Sequence, residues 1–336
     1  MFQSEKTVVR DLYAAMKGAG ADDIAGILAD HTAPDWHWRG MHPFYERRGA
    51  ADVAAAFWGP LLTSLTRLQR REDVFFAGRN SVGEGVWVVS MGHLMGLFDA
   101  PWLGIAATRK MVMLRYCEFN CVEGGRITKT MLHVDIPHLM AQAGQNPFGP
   151  QTGAPIVQPG PIGHGGMLFD AQPADVGTQT QDLIDAMCSD LGTWALGLPL
   201  EEELARTWHD DMIWWGPAGI GATYTIERYA KQHSGPFRAA FYDRSFTGHE
   251  ARVSEGHFGG FFGWPNFTAK HRGGFMGLPA NDKDCEFRVI DIYRRDGDKL
   301  AENWIFIDML YWLMQQGDDV LARMAAIAGT DYAPPG

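Results

Sequence analysis

Cysteine is scarce in this chain of 336 residues. There are four, Cys117, Cys121, Cys188 and Cys285, and no CxxC pair. That excludes a disulfide framework and a zinc knuckle, and points to reduced thiols in a reducing compartment. Long apolar runs are also missing. No stretch approaches 18 apolar residues, so no transmembrane helix is expected. Met1–Val9 carry Glu5 and Lys6 and lack the apolar centre of a signal peptide. A cytoplasmic protein is expected. Positive charge is in deficit: 29 Lys and Arg stand against 40 Asp and Glu, a net charge of −11. A phosphate-binding face needs the opposite balance, so neither nucleic acid nor an anionic membrane is an expected partner. The motifs GxGxxG, GxxxxGK[ST], HExxH and GxSxG are absent. The simple cases of nucleotide binding, zinc proteolysis and α/β-hydrolase chemistry fall away with them.

What is present is ordinary globular composition, 46% hydrophobic and 21% charged, over a length that suggests two domains. The chain repeats itself. Gly104–Gly144 slides without a gap onto Gly277–Gly317, with identities at Gly104/Gly277, Ala107/Ala280, Lys110/Lys283, Arg115/Arg288, Gly124/Gly297, Asp135/Asp308, Gln142/Gln315 and Gly144/Gly317. Chance would give roughly three. Glu118/Asp291 and Val134/Ile307 are close substitutions in the same register. Trp38-Arg39-Gly40 falls near Trp214-Trp215-Gly216, and Glu84-Gly85 near Glu255-Gly256. One domain type used twice follows. Its first copy spans residues 1–144 and its second 178–336. Between them, 145–177 is a linker rich in Pro and Gly, where regular structure is not expected.

Each half reads helices first and strands after. Val8, Val9, Leu12, Ala15 and Met16 have helical spacing, and Val53–Leu65 forms a helix interrupted at Pro60. Strand patterns cover 74–77, 85–94, 109–122 and 127–136, then 244–249, 251–262, 267–276, 285–294 and 300–307. Helices gathered on one side of a mostly antiparallel sheet define an α+β fold.

The chemistry on offer is acid/base material on strands. Period-2 alternation puts Met131, His133 and Asp135 on one face, and Trp304, Phe306 and Asp308 on one face of the partner strand. An Asp ending an apolar strand is either a general base with a raised pKa or the cap of the helix that follows. Arg115 and Arg288 either bind an oxyanion or belong to structural ion pairs. His93, His257 and His271 either line a cavity or pack by hydrogen bonding. Trp38, Trp214, Trp215 and Trp304 either wall a pocket for a flat, greasy ligand or fill the core.

The run Arg288-Val289-Ile290-Asp291-Ile292-Tyr293-Arg294-Arg295-Asp296-Gly297-Asp298-Lys299-Leu300-Ala301-Glu302-Asn303-Trp304, with Asp308 four residues beyond the Trp, resembles the closing strands of SnoaL-like polyketide cyclases of the nuclear transport factor 2-like superfamily. Trp214-Trp215-Gly216-Pro217 is similar to the family's segment after the second helix. The first half keeps Arg115, Gly124 and Asp135, with Met131 for the Trp. The resemblance implies a tandem pair of cones, each a curved antiparallel sheet wrapped around helices with a pocket at its mouth. The halves would pair internally as a pseudo-dimer, with further homodimerisation open. It implies Asp308 and, through the repeat, Asp135 as acid/base, with His133 beside Asp135, for intramolecular aldol, isomerase or lyase chemistry. The substrate would be a small hydrophobic or aromatic carbonyl compound, with no cofactor and no metal. The alternative is a non-catalytic module that binds a small hydrophobic ligand.

Overall fold

The computed structural model describes residues 1–193 and 197–335. The first half opens with α1 (Gln3–Met16) and α2 (Ile24–His31). Val9 and Leu12 of α1 and Ile24 and Leu28 of α2 are buried, as their three- and four-residue spacing requires. β1 (Thr32–Gly40) and β2 (Tyr45–Arg48) follow. Then α3 (Gly49–Val53) widens into one π turn at Ala54–Trp58 and continues as α4 (Gly59–Ser64). Four strands and a helix complete the half: β3 (Leu65–Arg79), β4 (Val86–Phe98), β5 (Met111–Glu123), β6 (Arg126–Val134) and α5 (Ile136–Gln142). The sheet order is β2-β1-β6-β5-β4-β3, antiparallel except where β1 runs beside β6. Pro60 therefore does not interrupt the helix. It sits in the first turn after the π turn, where its missing N–H goes unmissed.

The second half repeats this order. α6 (Ala174–Thr193) and α7 (Leu200–Leu204) lead into β7 (Trp208–Trp215) and the short β8 (Thr223–Tyr224). α8 (Ile226–Tyr229) widens into a π turn at Ala230–Ser234 and resumes as α9 (Gly235–Ala240). In both halves the π turn is followed directly by Gly-Pro, Gly59-Pro60 and Gly235-Pro236. The strands are β9 (Phe241–Phe246), β10 (Ala251–Glu255), β11 (Phe258–Phe262), β12 (Phe267–His271), β13 (Asp284–Phe287), β14 (Val289–Asp296) and β15 (Lys299–Ile307). α10 (Met309–Gln316) and α11 (Val320–Ala328) close the chain.

Topology shows the duplication most directly. The six-stranded sheet β10-β11-β14-β15-β7-β8 runs β14 antiparallel to β15 and β15 parallel to β7, as β5, β6 and β1 do in the first half. The protein is an α+β cone used twice. The halves differ where three long strands of the first are each broken in the second. β9 and β10 replace β3, β12 and β11 replace β4, and β13 and β14 replace β5. The outer pieces form a separate sheet, β13-β12-β9. The stretch 251–262, a single strand by pattern, is a hairpin turning at Gly256, whose φ of 55° is left-handed.

The sheets face each other. Val74, Phe76, Val89, Met91, Phe119 and Met131 of the first half form one apolar cluster with Val253, Phe262, Ile290, Ile292, Trp304 and Phe306 of the second. The linker is threaded through both. Gly153 and Ala154 donate to the carbonyls of Ile220 and Ala222, and on the β3 edge Phe75 donates to the Gly166 carbonyl and accepts from the Leu168 amide. α6 begins at Ala174, within the stretch that composition assigns to the linker. At the joint, Lys6 of α1 and Glu255 of β10 make a buried ion pair at 2.8 Å.

A shared local device explains the repeated Trp-x-Gly. Residues i and i+2 of a strand share a face, and the absent side chains at Gly40 and Gly216 let the indoles of Trp38 and Trp214 fold back over them. A Cβ at either glycine would overlap that ring. Gly40→Ala and Gly216→Ala are each expected to destabilise the protein by about 1–3 kcal/mol. Urea unfolding reads this, and variants as stable as the parent would show that the indoles do not lie there.

Candidate active site

Asp135 and Asp308 occupy equivalent places at the junction of the halves. Asp135 caps α5, Oδ1 accepting from the His138 amide at 3.1 Å, while Oδ2 accepts from the Ala218 amide of the other half at 3.0 Å. Asp308 caps α10 through the Tyr311 amide at 3.2 Å and reaches across to the His42 amide at 2.9 Å. Each half thus terminates a helix with a carboxylate that also holds a backbone N–H of its neighbour. Burial pushes the Asp308 carboxyl up to about 6, against the amide of His42 and the charge of Arg288. The two carboxyls and His133 line one gap of about 10 Å³, room for about one water. Burial holds His133 neutral, lowering its pKa to about 3.

The other side chains singled out in the sequence are scattered. Arg115 lies under the facing sheet, donating to the Trp215 carbonyl at 3.1 Å with its guanidinium 3.9 Å from the Phe306 ring centre. Arg288 is sandwiched between Trp264 and Tyr311 at 3.8 and 3.7 Å. Trp304 and Trp215 are in the cluster between the sheets, the Trp304 indole donating to the Pro159 carbonyl. Trp38 packs against Phe44 and Phe57 in the first core. His93 approaches Asp73 at 3.5 Å, and His271 is buried between Phe241 and Trp312. His257 is exposed in the β10–β11 turn. Of all these, Trp214 alone lines the cavity inside the second cone. Among the described residues no group of three or more His, Cys, Asp or Glu side chains is gathered as for a metal ion.

That cavity, about 490 Å³, lies inside the second cone where its sheet is broken. Trp214, Phe237, Phe261, Phe267 and Phe287 wall it. The side chains that face it belong to the opposite set from those at the junction. On β14 they are Val289, Asp291 and Tyr293, and on β15 Asn303, Ile305 and Ile307. Asp291 is 6% exposed. It accepts from Asn303 Nδ2 at 3.0 Å and is hydrogen-bonded by Tyr293. Burial, only partly offset by these bonds and by Arg115, pushes its pKa up to about 7. Burial likewise keeps the phenols of Tyr229 and Tyr293 protonated. Asp185, Arg238, Arg244 and Arg252 also line the cavity. A largely apolar chamber with the Asp291 carboxyl poised near neutrality and neutral phenols beside it can take up and return a proton.

At the equivalent position in the first cone the carboxylate is paired. Glu118 occupies the position of Asp291, but it accepts from the Tyr13 hydroxyl and pairs with Arg70 at 3.0 Å. The Arg70 guanidinium in turn lies over the rings of Tyr13 and Tyr116 at 3.8 and 4.6 Å. Beside it, a chain of hydrogen bonds runs from the Trp36 indole to Thr130, from Thr130 to Asn120, and from Asn120 to the Tyr13 hydroxyl.

The family model "SnoaL-like polyketide cyclase" matches residues 201–317. Among solved structures, IdmH of Streptomyces antibioticus is 20% identical, with 42% of this chain covering 99% of that one at a TM-score of 0.34. An NTF2-like protein of Burkholderia thailandensis is also 20% identical, with 41% covering 95% at 0.31. One of Anabaena variabilis is 16% identical, with 38% covering 89% at 0.31. No curated protein matches the chain. The likeness to SnoaL-like polyketide cyclases thus lies in residues 201–317 of the second half, and the first half repeats the strand order of that cone.

Proposed function

We propose that the second cone is a cofactor-independent acid/base enzyme acting on a small hydrophobic carbonyl compound, with Asp291 as its proton carrier in place of Asp308 and Asp135. The observation that carries this reading is the Asp291 carboxyl, buried in a cavity of about 490 Å³ and held near neutral pKa by desolvation. As carboxylate it takes the proton α to the carbonyl. The C–H electron pair becomes part of the enolate, and the same acid returns the proton elsewhere or lets the enolate close a ring. Isomerase, lyase and aldol outcomes share that first step. The first cone, with Glu118 neutralised by Arg70, serves as scaffold, and the two halves act as an internal pseudo-dimer. No described helix is long and apolar enough to cross a membrane.

A binding module is the second reading. It is favoured by the amide-bound state of Asp135 and Asp308, the positions that the family resemblance makes chemical. The α-protons of 2-tetralone, a small aromatic ketone, separate the two. Wild-type protein in deuterated buffer is expected to speed their exchange, and Asp291→Asn to lose about a hundredfold or more of that effect. Tetralone that binds with no acceleration identifies a binding module.

A further inference from the structure

His249 lies at the rim of the second cavity, just before β10, and lines it. Its ring stacks on Phe261 with centroids 3.9 Å apart and planes 10° apart, and Phe246 meets it edge-on. Arg252 directs two N–H groups at one ring nitrogen, Nε and Nη2 standing 3.2 and 2.9 Å from His249 Nδ1. A guanidinium has no acceptor, so Nδ1 must be the lone-pair nitrogen and the ring proton must sit on Nε2. Arg252 is itself fixed by Asp185, which also takes a bond from Gln181. The imidazole is thus locked in a single tautomer by a chain of side chains that includes no substrate.

Among the described residues nothing bonds Nε2. Tyr293 is engaged with Asp291, Tyr229 with Ser234, and Asn303 with Asp291 and the Ile292 carbonyl. Phe261, the ring on which His249 stacks, pairs directly with Asp291 across β11 and β14. His249 and Asp291 therefore line the same chamber, each next to Phe261. Burial first, and then the charge of Arg252, keep the imidazole neutral, with a pKa lowered to about 3.

We propose that His249 is the oxyanion donor of this site, its Nε2–H hydrogen-bonding the substrate's carbonyl oxygen while Asp291 takes the α-proton, with Arg252 as the positioning residue that fixes the tautomer. The inference rests on the acid/base reading of the cavity. The C–H pair moves into the new C=C bond and the carbonyl π pair onto oxygen, where the neutral N–H meets the growing charge without giving up its proton. When the enolate is reprotonated by Asp291, the hydrogen bond relaxes and no net proton is consumed.

2-Naphthol, the planar enol counterpart of 2-tetralone, and naphthalene, the same rings without oxygen, test it by calorimetry. Wild-type protein is expected to bind 2-naphthol at least tenfold more tightly than naphthalene. His249→Phe is expected to bind naphthalene as before and lose that excess, and Arg252→Gln to reduce it. Nitrogen-15 NMR of the wild-type protein is expected to show His249 protonated at Nε2 and bare at Nδ1, a readout that does not depend on any variant folding. If naphthalene binds but the naphthol excess survives in His249→Phe, or the proton is found on Nδ1, the assignment of His249 is overturned and the cavity reading stands. If wild-type protein binds neither compound, both fall together.

Discussion

Asp291→Asn is expected to make the protein more stable at pH 8 by about 2–4 kcal/mol, and to change it little near pH 4. The sign follows from burial. The Asp291 carboxyl has a folded-state pKa raised to about 7 from 3.8. Its contribution is fully present below the unfolded value, where the group is neutral in both states. It is lost as pH rises through about 7, because the unfolded chain ionises freely while the folded one must put a charge into a largely apolar chamber. Asparagine fills the same space, accepts the same bond from Asn303 and cannot ionise. The wild-type stability curve should therefore fall between about pH 4 and 7 more steeply than that of the variant. Urea titrations at four pH values measure the difference, and parallel curves would show that Asp291 is not buried as a neutral acid. The same variant is the one expected to lose proton exchange on 2-tetralone. Greater stability with loss of chemistry is the pattern of a site residue.

A second large effect is expected at the joint between the halves. Lys6 and Glu255 are 1% and 4% exposed. Lys6 also donates to the Leu168 carbonyl of the linker, and Glu255 accepts from the Ala77 amide of β3 at 2.8 Å. One ion pair thus ties together α1, β3, β10 and the linker. Lys6→Met leaves the Glu255 charge buried without its cation and is expected to cost about 3–5 kcal/mol. The double variant Lys6→Met, Glu255→Gln removes both charges while keeping an acceptor for Ala77, and should recover most of that loss. Chemical denaturation of the single and double variants completes the comparison. A single variant within 1 kcal/mol of the parent, roughly the worth of an exposed pair, would show that water reaches this joint.

Much of the architecture was written in local pattern. The ungapped repeat from Gly104 and Gly277 brought β5/β14, β6/β15 and α5/α10 into register, and the same alignment gave the equivalence of Asp135 and Asp308. Alternation also grouped Met131 with His133 and Trp304 with Phe306 correctly. What alternation does not say is which face of a two-sided strand looks into its own cone and which looks at the other sheet. Both faces of β14 and β15 are apolar enough to be buried, so the residues beside tryptophan looked like a pocket and are the contact between sheets. Asp291 was visible in the sequence, alternating with Val289 and Tyr293, but only as the partner of Glu118. Its different environment depends on Arg70, which lies on β3 far along the chain. Of the breaks that split the second sheet beside the cavity, Gly248 fell inside the strand pattern 244–249, and Gly263-Trp264-Pro265-Asn266 fell between the patterns 251–262 and 267–276. Their effect comes from where the long strands of the other half continue unbroken.

The threading of residues 144–173 across both halves has a consequence for what each half is free to become. In an assembly of two identical subunits every substitution at the contact occurs twice, and a change tolerated on one side must be tolerated on the other. Joined on one chain, the two sides mutate separately and meet at a local concentration that dilution cannot lower. His133 can then stand where its counterpart is Phe306, and Arg115 can lie on that phenylalanine while Arg288 finds Trp264 and Tyr311. Freed from mirroring each other, one cone has paired its carboxylate with an arginine and the other holds its own in an open chamber.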